Sequence, residues 1–225
     1  MTQDYVIITA GGKGTRMGSA VPKQFLPIDG IPVLMRTINR FRAYSDKLSL
    51  ILVLPESQID YWENLCKTYG FDVPCQIVCG GKTRFHSIYN GLQAIPDQAE
   101  GIVGIHDGVR PFPSVKVITQ CYETARSAKA VIPVMPVVET LRYLPEHRNV
   151  PRSDYRLVQT PQCFNISLLK KAYRQPYNQD FTDDASVVEA YGEKITLIDG
   201  NRENIKLTTP FDMEIAELFT KKDSL

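Results

Sequence analysis

Two kinds of apolar spacing take turns along the chain. In YVIIT (5–9), LSLILVLP (48–55), QIVCGG (76–81), GIVGIHD (101–107) and AVIPVMPV (130–137) the apolar residues run nearly consecutively. Such short runs suit strands buried on both faces of a sheet, because neither side of the pleat needs polar residues. Between them the apolar positions recur every three or four residues. VLMRTINRFRAY, from Val33, places Leu34, Ile38 and Phe41 on one helical face, and the segment from Thr83 to Ala94 does the same with Phe85, Ile88 and Leu92. IDYWENLCKTYG reads as a helix closed by Gly70, and SVKVITQCYETARSA as another. Further helices are predicted near 166–175 and 183–191, then a strand at EKITLID and an amphipathic helix from Pro210. AVIPVMPV is expected to be a strand interrupted by its prolines.

The alternation of strand and helix predicts an α/β fold: a Rossmann-like, mostly parallel sheet with helices on both faces. One stretch breaks the rhythm. Residues 137–161 alternate apolar and polar positions around a polar turn at 146–149, which suits a projecting β-hairpin arm outside the sheet. A long hairpin cannot bury its own apolar side chains, so a partner subunit is expected to cover it. There is no internal repeat, low-complexity tract or linker, and residues 1–225 read as one domain carrying that arm.

Charge and cysteine usage remove several function classes. The 225 residues carry 26 cations against 25 anions and no long basic run, which argues against a protein that coats nucleic acid. The five cysteines include no CxxC pair, so structural zinc and thioredoxin-like chemistry are not expected. MTQDYVIITA lacks the charged start and long apolar core of a secretion signal, and VIPVMPVV at 131–138 is too short to span a bilayer. The expectation is a cytoplasmic protein with no membrane partner.

In open α/β sheets ligands sit beyond the carboxyl ends of the strands. That rule selects four loops: 9–23, 80–87, 106–111 and the segment after Asp199. The glycine-rich and charged oddities of the sequence fall in these loops. The first loop, TAGGKGTRMGSAVPKQ, is not a P-loop, because the Gly-Lys-Ser/Thr ending is missing. A dinucleotide fingerprint fails as well: Met17 stands where the third glycine is needed, and Pro22 blocks an immediate long helix. What Gly11, Gly12 and Gly14 do permit is close approach of backbone N–H groups to an anion. Arg16 adds a bidentate fork and Lys23 a point charge. This is equipment for a triphosphate.

GGKGTRMGSAVPKQFLPIDGIPVL resembles the signature of nucleotidyltransferases that join a polyol or sugar phosphate to a nucleotide. GGKTRFHSI (80–88), HDGVRP (106–111), QTPQCF (159–164), DFTDDASVVEAYG (180–192) and NIKLTTPFD (204–212) follow in the order of one branch, the 2-C-methyl-D-erythritol 4-phosphate cytidylyltransferase family of the non-mevalonate isoprenoid pathway. The resemblance spans nearly the whole chain. It implies transfer of the cytidylyl group of CTP to methylerythritol phosphate, with release of pyrophosphate and no covalent enzyme intermediate. The relatives that make CDP-ribitol from ribitol 5-phosphate share most of these motifs and are the alternative; a catalytically silent nucleotide-binding module is a second.

The resemblance also distributes roles. Arg16, Lys23, Lys206 and Arg152 match catalytic positions. Thr9, Ala10, Gly11, Gly12, Gly14, Gly80, Gly81, Ser87, Asp107 and Gly108 match nucleotide contacts, with Gly80, Gly81 and Ser87 at the pyrimidine. Asp107, Arg110, Thr140, Arg152, Thr160, Thr182 and Lys206 match acceptor contacts, Thr140 and Arg152 reaching it from the neighbouring subunit of a homodimer with exchanged arms and shared sites. Mg2+, or another divalent ion, would be held mainly by the CTP phosphates, near Asp107.

Several of these residues also have plain structural readings. Lys206 could be a solvated lysine after a strand, and Thr182 the N-cap of the helix that TDDA begins. Lys82 and His86 stand where many relatives carry acids, and Thr9 where many carry proline. His106 beside Asp107 suggests a general base, but a phosphate acceptor is already ionised near neutral pH, so a structural role is expected. Trp62 is expected to pack in the core.

Overall fold

A computed structural model of the chain describes residues 2–12 and 21–222. Strand β1 (Tyr5–Thr9) opens the sheet. A 3-10 turn at Lys23–Phe25 leads to the short pair β2 (Pro27–Ile28) and β3 (Ile31–Pro32), joined through Asp29 and Gly30 at positive φ. Then follow α1 (Val33–Tyr44), β4 (Ser49–Leu54), α2 (Ile59–Tyr69), β5 (Gln76–Cys79), α3 (Arg84–Gln93), β6 (Ile102–Asp107), α4 (Val115–Ala128) and β7 (Ala130–Pro136). The second half contributes β8 (Leu141–Tyr143), β9 (Arg148–Val150), β10 (Arg156–Val158), β11 (Gln162–Asn165), α5 (Ile166–Ala172), α6 (Asp184–Ala190), β12 (Thr196–Asp199) and α7 (Pro210–Lys222).

Among the described residues, eight strands form one sheet in the order β10-β7-β11-β6-β1-β4-β5, with β12 also paired to β7. Pairings β1–β4, β1–β6, β4–β5 and β7–β12 are parallel; β6–β11, β7–β10 and β7–β11 are antiparallel. Alternate side chains of the same strands enter two separate cores. Val6, Ile8, Leu50 and Leu52 pack with Leu34, Phe41, Trp62, Ile118 and Tyr122 of α1, α2 and α4. Ile7, Ile51, Val53, Val103 and Ile105 pack with Ile88 and Leu92 of α3 and with residues of α5 and α6 on the other face. Both faces are therefore covered, which is why these strands read as continuous apolar runs.

Three expectations change. The arm is shorter than 137–161: only β8 and β9 pair as a separate hairpin, and their turn lies at 144–147, two residues before the polar stretch at 146–149. Beyond it β10 returns to the main sheet, with Leu157 opposite Met135 of β7. The alternation continues through β10 because an exposed sheet strand shows the same period of two as a hairpin. Strand β7 is not interrupted by its prolines, since Pro133 joins the ladder through its carbonyl, which accepts from the Gln159 N–H (2.9 Å). Strand β11, unforeseen in the sequence, inserts antiparallel between β6 and β7.

Candidate active site

The carboxyl ends of β1, β6, β5 and β12 deliver Thr9, Asp107, Cys79 and Asp199 to one edge of the sheet, so the four selected loops emerge together. Backbone bonds lash the strand ends together: Ala10 N–H donates to Val53 (3.0 Å), Gly108 N–H to Thr9 (2.8 Å) and Gly80 N–H to Leu54 (2.7 Å).

Asp107 is the electrostatic centre. It is buried, and its Oδ2 accepts from Arg110 Nε at 3.0 Å and pairs with Lys206 Nζ at 3.1 Å. Burial pushes the carboxyl pKa up, but Lys206, then Arg84 and Arg110, outweigh it and hold the group well below the usual carboxylate range. Asp107 is thus an anion held by an excess of cations. Arg110 Nη1 also donates to the Asn204 carbonyl (2.9 Å), while the half-exposed Lys206 faces the site mouth.

His106 lies under this cluster, fully buried. Its Nε2 meets the Arg110 carbonyl at 3.0 Å and its Nδ1 the Thr160 hydroxyl at 3.0 Å. A carbonyl only accepts, so Nε2 carries the proton and Nδ1 accepts from Thr160 Oγ1. The same hydroxyl oxygen accepts from the Asp107 N–H (3.2 Å). Burial lowers the His106 pKa to about 4, so the ring is neutral. Its one N–H is committed to the Arg110 carbonyl and its other nitrogen to the Thr160 hydroxyl, so it braces the loop, in agreement with a structural role. Phe41 packs edge-on against it (4.8 Å between centroids).

On the β1 side, Lys23 begins the 3-10 turn after Pro22 and is buried. Its Cε lies 3.8 Å from where a Cβ on Gly12 would sit, so its stem runs along the glycine backbone. Gln24, fully buried, donates to the Ala10 carbonyl (2.8 Å) and to Gln58 Oε1 (2.7 Å), closing the neck of the loop. Gly14 and Arg16 lie outside the described residues, as does Lys13.

At β5, Ser87 holds the glycine pair. Its Oγ accepts from the Gly81 N–H (3.0 Å) and donates to the Thr83 carbonyl (2.9 Å). Gly81 is needed for contact: a Cβ there would sit 2.4 Å from His86 Cβ and 2.8 Å from the His86 carbonyl carbon. His86 bonds the Thr83 hydroxyl through Nδ1 (2.8 Å), and Lys82 is exposed. Arg84 turns the other way, to the fully buried Asp184, whose second oxygen accepts from the Tyr173 hydroxyl (2.6 Å).

Among the described residues, contacts join Asp107, Arg110, Thr160 and Lys206 in one network and leave Thr140, Arg152 and Thr182 outside it. Thr140 and Arg152 are exposed on the hairpin segment, where Arg152 donates to the Val138 carbonyl. Thr182 is exposed and does not cap the helix. Asp183 does, in a capping box with Ser186, because its carboxylate reaches the Ser186 N–H (2.9 Å) and accepts a bond of charged strength. Trp62 packs in the core as expected. Arg84, Gln24, Gln159 and Asn204 belong to the site framework although no sequence signal selected them; all four lie inside the stretches GGKTRFHSI, SAVPKQ, QTPQCF and NIKLTTPFD, where only their neighbours stood out.

A cavity of about 460 Å3 opens beside the network, between Arg110 and Lys206 on one side and Val138, Glu139 and Leu157 on the other. Arg202 lines it as well, so three cations, one acid and a patch of apolar surface wall a pocket that can hold an anion carrying a hydrocarbon-bearing body.

Known proteins resemble the chain in sequence and in fold. The family model described as 2-C-methyl-D-erythritol 4-phosphate cytidylyltransferase (IspD) matches residues 5–222. The chain is 60% identical to the enzyme of that name from Phocaeicola vulgatus, over 95% of this chain and 98% of the relative, and 58% identical to that of Bacteroides thetaiotaomicron, over 93% and 96%. Its fold superposes on the solved 2-C-methyl-D-erythritol 4-phosphate cytidylyltransferase of Thermus thermophilus with a TM-score of 0.77 at 31% identity, covering 98% and 100% of the two chains. For the 4-diphosphocytidyl-2C-methyl-D-erythritol synthase of Anaerococcus prevotii the TM-score is 0.82 at 27% identity, covering 98% and 99%. The carboxyl-edge site, the order of its motifs and these matches together assign the chain to the 2-C-methyl-D-erythritol 4-phosphate cytidylyltransferase family.

Proposed function

We infer that the protein transfers the cytidylyl group of CTP to 2-C-methyl-D-erythritol 4-phosphate, releasing pyrophosphate, as a step of isoprenoid precursor synthesis. The observation that carries this reading is the cation-rich seat around ionised Asp107, facing the glycine backbone and Lys23 across the same sheet edge, in a chain of this family. Phosphoryl transfer asks mainly for positioning and charge stabilisation, and this edge supplies both without a side-chain nucleophile. Backbone N–H groups of Gly11 and Gly12 cradle the triphosphate. Gly80 and Gly81, braced by Ser87, receive the cytosine through backbone groups at close range. Lys206 and Arg110 hold the acceptor phosphate beside the α-phosphorus, and its oxygen attacks in line as pyrophosphate departs. Lys23, with Arg16 as a second cation, meets the charge that gathers on the α-phosphate.

A divalent cation fits this donor set. Asp107 is an ionised hard-oxygen ligand, and no group of three or more His, Cys, Asp or Glu side chains is assembled among the described residues. Mg2+ there would take most of its ligands from phosphates and water and would neutralise the triphosphate. Thr140 and Arg152 flank the β8–β9 hairpin, outside the network of their own chain, which supports delivery to the site of a second copy in a homodimer. A cytoplasmic location belongs to the same reading; no helix among the described residues is long and apolar enough to cross a membrane.

Pyrophosphate release tests the assignment. Purified protein with CTP and Mg2+ is expected to release it with methylerythritol phosphate and far less with ribitol 5-phosphate. Release with ribitol 5-phosphate alone transfers the chain to the alternative acceptor, and release with neither leaves a nucleotide-binding module.

A further inference from the structure

Two amides lie buried beneath the Asp107 network. Asn204, fully buried, donates from Nδ2 to the Thr160 carbonyl (2.7 Å) and to Gln159 Oε1 (3.4 Å). Gln159 in turn donates from Nε2 to the Asn201 carbonyl (2.9 Å) and the Asn204 carbonyl (3.3 Å). The Asn204 carbonyl is the one that receives Arg110 Nη1, and Lys206 follows two residues later. Both cations on Asp107 are therefore referred to the same amide pair: Arg110 through the Asn204 carbonyl, Lys206 through the main chain that the pair ties to Thr160. The seating is tight. A Cβ on Gly200 would lie 2.2 Å from Gln159 Oε1, so the glycine keeps that space for the amide.

We propose that Gln159 and Asn204 are positioning residues for the transfer reaction: their paired amides set where Arg110 and Lys206 stand about Asp107, and so where the acceptor phosphate is held. The proposal rests on the cytidylyltransferase reading above. It concerns one side of the site only. The glycine backbone at 11–12 and the pyrimidine loop at 80–87 make no bond to either amide among the described residues, so loosening the pair falls on the acceptor and spares CTP. A displacement of about 1 Å at a reacting group costs on the order of 100-fold in rate, so a partial loosening of the pair reads as about tenfold.

Gly200→Ala and Gln159→Ala perturb the amide in opposite ways, one by pushing it out and the other by deleting it. Steady-state kinetics with CTP and methylerythritol phosphate are expected to show about a tenfold loss of kcat/KM for the acceptor in each, with the CTP KM within about twofold of wild type. The double variant is expected to be no worse than Gln159→Ala, because once the glutamine amide is gone a methyl group at position 200 has nothing to strike. Equal losses for both substrates, additive losses in the double variant, or unchanged acceptor kinetics would each overturn the proposal while the functional reading stands. A wild type inactive with both acceptors overturns the reading and the proposal together. If Gln159→Ala does not fold, the acceptor-against-CTP split in Gly200→Ala decides.

Discussion

At Asp107 two opposing effects meet. Burial alone makes a carboxylate neutral; three nearby cations keep this one charged. One residue earlier, burial acts on His106 without a carboxylate in hydrogen-bond contact, and the ring stays neutral. The difference has a consequence for acid stability. An imidazole in the unfolded chain titrates near 6.5 and His106 in the fold at about 4. Between those values the unfolded chain binds the extra proton, so stability falls as pH drops through that window, by about 2 kcal/mol at pH 5 from this group alone. Asp107 acts in the same direction at still lower pH, since its folded value lies below its unfolded one. Denaturant titrations at pH 7 and pH 5 are expected to show the loss; equal stability at the two would contradict a neutral buried ring. Lys23 is tested by kinetics. Lys23→Ala is expected to lower kcat by about 100-fold or more with a modest change in CTP KM, because a cation that meets developing charge acts in the transition state. A loss confined to CTP KM would reduce Lys23 to a ground-state contact. In the sequence, Asp107 and Lys206 were visible through motif and strand end. The amides of Gln24, Gln159 and Asn204 were not, because an isolated buried polar residue leaves no periodic mark.

Elements with a strong period were read correctly. The helices from Val33, Thr83 and Ser114 begin within a residue of their predicted starts, and the buried strands lie inside the consecutive apolar runs. What failed was short or doubly interpretable. QCFN is four residues set among polar neighbours, too brief to declare the strand that joins β6 to β7. TDD offers three capping side chains in a row, and only folding shows that Asp183 takes the position. The arm was overrun because β10 alternates like a hairpin strand while lying on the sheet. The true hairpin, β8–β9, exposes Leu144 by 71% at its tip, and Leu157 on β10 is 56% exposed. Such surface calls for a partner, and a second copy is the one we propose. Sedimentation is expected to give a dimer for the intact chain and a folded, inactive monomer when residues 141–150 are replaced by a short glycine-serine turn. An active monomer would remove the shared site.

The whole molecule separates support from chemistry by the direction of its strands. Parallel β1, β4, β5 and β6 all end at one edge, and that edge holds the glycines, Asp107, Lys23 and the cations of the 199–206 segment. The opposite edge is closed by structural ties. Asp4 pairs with Arg126 and accepts from the Ile102 N–H (3.0 Å), and Gln3 donates to the Glu100 carbonyl (2.8 Å) through its backbone N–H. Strand β1 thus enters the sheet from the side away from the site. A peptide, dye or surface linker attached ahead of Tyr5 leaves through that far side, so a sensor chip loaded through the amino terminus presents every copy with its substrate pockets open to the flow.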